Sequence, residues 1–113
     1  MSARISIDFR RLLEIFNRRQ VRYLVVGGYA QAVYARPRFT KNLDLWLDSS
    51  QPNAGSVLLS LEEFGFGTLG LKTQDFTQEG YVIQLGHQPN RIDLLTSLQG
   101  LKFSECFERR QVV

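Results

Sequence analysis

An α+β (mixed α/β) fold, a central mixed sheet of about four or five strands flanked by helices, is predicted by three features of the chain. The segment "DFRRLLEIFNRR" places Phe9, Leu12, Leu13 and Phe16 at helical spacing, with basic residues on the opposite side. The runs "VRYLVV", "LDLWL", "YVIQL" and "RIDLL" are short and rich in β-branched, aromatic or alternating apolar residues, as strands are. Helical patterns lie between and after those runs, which is the order of a sheet with helices packed on it. At 113 residues the chain fits one domain over 1–113.

The elements follow in order. The first helix covers residues 8–19 and leads into a strand at 21–26. Gly27-Gly28 breaks that strand, and "YAQAVYA" at 29–35 suits a helix that Pro37 ends. A second strand at 43–47 alternates around Asp44. After the turn "SSQPN", Asn53 is placed to cap a helix over 54–64 that directs Val57, Leu58, Leu61 and Phe64 to one side, with Gly65 as its stop. Strands at 81–85 and 91–95 are joined by the hairpin-like loop "GHQPN". A short helix covers 104–110, and "QVV" reads as the start of a strand.

The formal net charge of +3 suits an anionic ligand but does not establish a nucleic-acid surface, because the basic residues are scattered. The single cysteine, Cys106, excludes an internal disulfide framework, and with a single histidine it leaves no Cys/His zinc site. No apolar run reaches membrane-spanning length, and "MSARISIDFRR" lacks an apolar signal core. The expectation is a cytoplasmic protein with no membrane association.

The chemistry-bearing residues lie around "VGGYAQAVYARPRFTKNLDLW". A strand turning through Gly27-Gly28 into a helix exposes backbone N–H groups that a phosphate can approach closely. The same sequence is also compatible with a tight turn that holds no ligand. Asp44 and Asp93 each interrupt an apolar strand, which is unfavourable unless the acid is solvated or serves a partner. The pleat puts Asn42, Asp44 and Trp46 on one face and Leu43, Leu45 and Leu47 on the other. If the two acidic strands are neighbours, both carboxylates and the Asn42 amide oxygen converge. Such an oxygen cluster suits Mg²⁺ or Mn²⁺ beside substrate phosphates. The alternative is two solvated strand acids that share nothing.

In order and spacing, Gly27-Gly28, "TKNLDLWL" and "RIDLL" resemble the nucleotidyltransferase superfamily typified by DNA polymerase beta. The nearest resemblance is to small prokaryotic members related to abortive-infection and toxin–antitoxin proteins. It spans about residues 8–110. It implies that Gly27 and Gly28 hold a nucleoside triphosphate, that Asp44 is the second metal-binding acid and that Asp93 is the third acid, which helps activate the attacking hydroxyl. Mg²⁺-dependent transfer of a nucleoside monophosphate to a hydroxyl would follow; the acceptor (tRNA, protein or small molecule) stays open. Asn42 stands where the family carries its first acid, so the catalytic and metal set Asn42, Asp44 and Asp93 is one charge short. The resemblance therefore implies a nucleotidyltransferase whose activity is weakened or lost, or a non-catalytic nucleotide-binding or protein-interaction module of the same fold. The chain also reads as shorter at its C-terminus than the family pattern, and the unfinished strand leads to an expected homodimer or higher oligomer.

Arg36, Arg38 and Lys41 could offset phosphate charge or form a solvated basic loop, and Thr40 could bond a phosphate or cap a turn. Trp46 could stack on a base or lie beneath a helix. Tyr29 and Tyr34 are expected to pack, His87 to lie at the surface, and Cys106 to join the core.

Overall fold

The computed structural model describes residues 2–26, 41–87 and 90–110, with positions 2–8, 41, 42, 68, 87 and 90 described by backbone alone. The helix predicted over 29–35 and the strand expected at 111–113 lie outside the described residues. Helix α1 is Ser2–Arg18, strand β1 Tyr23–Val26, strand β2 Lys41–Leu47, helix α2 Gln51–Leu61, strand β3 Val82–His87, strand β4 Asn90–Leu95 and helix α3 Phe103–Glu108. The four strands form one mixed sheet in the order β1-β2-β4-β3. The β2–β4 pair is parallel, and the two outer pairs are antiparallel. The α+β expectation is met.

The boundaries moved for identifiable reasons. α1 starts at Ser2, six residues earlier than expected, because nothing in "SARISI" breaks a helix. β1 starts at Tyr23 because Val21 and Arg22 belong to the helix exit. There Gln20 takes a left-handed conformation at φ 59°. Its N–H donates to the Asn17 carbonyl at 3.1 Å, and the Val21 N–H donates to that of Phe16 at 2.8 Å. These paired bonds satisfy the last helix carbonyls, while buried Val21 follows the chain inward. β2 extends back to Lys41 and β4 to Asn90, since the two run in register over that length. β3 continues through Gly86, whose φ of +83° suits a residue without Cβ.

Asn53 does not cap α2. Ser50 holds the capping position, and Pro52 sits in the first turn, where its missing N–H costs nothing. Asn53 lies inside the helix and is buried, and its amide joins two chain segments. Oδ1 accepts the Arg22 N–H at 2.7 Å, while Nδ2 donates to the carbonyls of Arg22 at 3.1 Å and Asp48 at 2.7 Å. The loop before β1 and the exit from β2 are thereby fastened to α2. Past Leu61 the helix loosens into a π-helical turn, Glu62–Phe66, in which Gly65 has φ 119° and ends the helical run as expected. Glu63 in that turn accepts hydrogen bonds from Arg18 and, at 3.0 Å, from Arg19. Arg18 chiefly, with Arg19, holds its carboxyl below the usual range.

The core lies between one face of the sheet and the helices α1 and α2. Leu43, Leu45, Leu47, Leu85, Ile92 and Leu94 meet Phe9, Leu12, Phe16, Val57 and Leu61 there. Full burial of each such side chain stabilises the fold by about 1.5–3 kcal/mol. Phe76, in a 3-10 turn (Thr73–Phe76), is also fully buried in this core.

Candidate functional site

The opposite face of the sheet carries the acids. Because pleated neighbours alternate, a core face formed by Leu43, Leu45, Ile92 and Leu94 turns Asp44 and Asp93 the other way. Pairing then aligns them. Val26 lies opposite Asp44, Asp44 opposite Asp93, and Asp93 opposite Gln84, so one row crosses all four strands. One step along, the backbone of Asn42 lies opposite Arg91, and Arg91 opposite Gly86. In the other direction come Leu24, Trp46, Leu95 and Val82.

Two like charges in register on adjacent strands repel. A third residue offsets this. Arg91 and Asp93 are two apart on β4 and so share a face. The Arg91 guanidinium grips both carboxylate oxygens of Asp93, Nε to Oδ1 at 2.9 Å and Nη2 to Oδ2 at 3.1 Å. The pair is partly shielded, with side chains 27% and 13% exposed. A planar fork on a carboxylate is the strong geometry for this interaction, and limited water contact strengthens it. Asp44 is half-buried beside it.

Beyond Asp44, Trp46 is 2% exposed, and its ring meets Phe103 of α3 edge-on at 5.2 Å. It is covered by a helix rather than open for stacking on a base. Phe103 stacks on Phe107 at 5.3 Å, and Arg22 and Arg110 lie over the Phe107 ring at 4.4 and 3.5 Å. Arg22 also donates to Asp48 at 3.1 Å. α3 thus covers the Trp46 end of this face and leaves Asp44 partly open. Cys106, on α3, is partly buried rather than part of the core. An open cleft of about 770 Å³ lies further along, between Glu79–Val82 and Ser97–Lys102. Neither acid nor Arg91 lines it.

Of the expected site residues, the structure brings Asp44 and Asp93 together. Asn42 and Lys41 belong to the same strand, with only their backbone described. Gly27, Gly28, Arg38 and Thr40 lie outside the described residues, as do Tyr29, Tyr34 and Arg36. Arg91 was missed, although "RID" within a strand already places an arginine and an aspartate on one face. The donors do not fit a resident Mg²⁺ or Mn²⁺ as they stand. Both Asp93 oxygens bond Arg91, and among the described residues no three His, Cys, Asp or Glu side chains are grouped to hold a metal. Also among the described residues, no helix is long and apolar enough to cross a membrane. No family model, curated protein or solved structure matches the chain.

Proposed function

We propose that the chain is a nucleotidyltransferase-like protein in which Mg²⁺-dependent transfer of a nucleoside monophosphate from a nucleoside triphosphate to a hydroxyl is weakened or lost. One observation carries this reading: Asp44 and Asp93, on parallel neighbouring strands, occupy one register position on the sheet face away from the core. The order of Gly27-Gly28, the β2 acid and the β4 acid along the chain supports it. Asn42, neutral where the resemblance calls for an acid, accounts for the weakened activity, since phosphoryl transfer through divalent ions depends on anionic ligands.

A second reading, a non-catalytic nucleotide-binding or protein-interaction module of toxin–antitoxin type, is favoured by the Arg91–Asp93 fork, which occupies the third acid. Titration calorimetry with Mg²⁺ and each common nucleoside triphosphate, followed by labelling, separates the two. Asn42→Asp adds a carboxylate of nearly the same size and should tighten Mg²⁺–nucleotide binding by about 1–3 kcal/mol. Equal affinity in parent and variant would remove position 42, and with it the catalytic reading.

A further inference from the structure

We infer that Arg91 is the resident cation of this acid face: its guanidinium occupies the carboxylate positions a divalent ion would use, so the folded chain carries the Asp44–Asp93 pair without a bound metal. The inference rests on the proposed reading only in taking this face as one where a cation belongs.

The argument is one of competition for the same oxygens. Asp44 and Asp93 are held side by side by the β2–β4 register, an arrangement that repels without positive charge nearby. Arg91 supplies that charge from the same strand, with one N–H on each Asp93 oxygen. A guanidinium keeps its proton throughout the working pH range, so this counter-ion is not lost by titration. A divalent ion at Asp93 would have to shed water and also displace or share the fork. Asn42, on the neighbouring strand opposite Arg91, adds no compensating charge. Shielding of both partners raises the cost of opening the fork, because the released guanidinium and carboxylate must each find new partners in a partly dry site.

The test uses metal ions alone, so its failure is separate from failure of the nucleotide reading. Tb³⁺ luminescence sensitised by Trp46, the chain's one tryptophan, reports an ion at this face, and Mn²⁺ competition gives its affinity. The parent should show no saturable binding at micromolar ion. Arg91→Gln should tighten binding roughly tenfold or more, the scale of a lost charge-assisted pair. Arg91→Lys keeps the charge and should stay close to the parent. Asp93→Asn in the Arg91→Gln background should abolish the gain. Micromolar binding by the parent, no gain in Arg91→Gln, an equal gain in Arg91→Lys or a gain that survives Asp93→Asn would each overturn the inference. Should Arg91→Gln fail to fold, the unmodified chain decides: the Arg91 Nε–H resonance should not move with millimolar Mg²⁺, and its titration would count against the assignment.

Discussion

Leu43, Leu45 and Leu47 of β2 show no exposed surface against α1 and α2, while Asp44, a single residue away from two of them, stays half-open on the other side. β4 repeats the contrast, with Ile92 and Leu94 in the core and Arg91 and Asp93 opposite. The same two central strands thus build an apolar wall and a charged surface from alternate residues. The first wall is wholly apolar, whereas the second sets the charged groups of its middle rows beside Trp46, which packs under α3. The charged face still has a local requirement, which is a cation near its paired acids.

The largest expected effect tests that division. Leu45→Ala should lower unfolding free energy by about 2–5 kcal/mol, since it opens a cavity in a packed core. Asp44→Asn, at the adjacent position, should change it by less than about 1 kcal/mol, because the side chain is half-buried, keeps its size and opens no cavity. Urea unfolding of both variants measures the contrast, and comparable losses would show that the acid face carries the fold as well.

A smaller effect is expected where the two faces are joined at their edge. Asn53→Ala strands the Arg22 N–H and the Asp48 carbonyl in a partly buried junction, and should cost about 2–4 kcal/mol. A change in melting temperature no larger than that of an exposed substitution would mean that water takes over the amide's role. The smallest effect concerns pH. Glu63 titrates lower in the folded chain than in the unfolded one, so its contribution is present above the ordinary glutamate range and fades as pH falls through the depressed value. The gap in melting temperature between parent and Glu63→Gln should therefore narrow in acid. A gap unchanged by pH would show that the Arg18–Arg19 clamp does not act through charge.

What the sequence disclosed was whatever depends on period alone. Alternation in "LDLWL" and "RIDLL" already separates the leucines from Asp44 and Asp93, and the 3.6-residue spacing of Phe9, Leu12 and Phe16 marks the buried side of α1. What stayed hidden depends on which segments meet. Asn53 before an apolar run reads as a cap. Its real partners, Arg22 and Asp48, are recognisable only once β1 and β2 are known to be neighbours. The parallel pairing that puts Asp44 beside Asp93 is equally non-local. Past Gly65 the irregular turns to Phe76 carry no regular apolar spacing, so the buried Phe76 gave no signal.

The Arg91–Asp93 fork and the Asp44–Asp93 pair differ in how far along the chain they reach. The fork joins residues two apart, so any extended stretch of β4 keeps its partners within range. The acid pair joins positions 44 and 93, and exists only after a loop spanning much of the chain has closed. In the order of assembly, Asp93 can thus be discharged by its own strand before Asp44 arrives. The contact then forms with the Asp93 charge already offset, which lowers an electrostatic obstacle to the step that docks the two central strands.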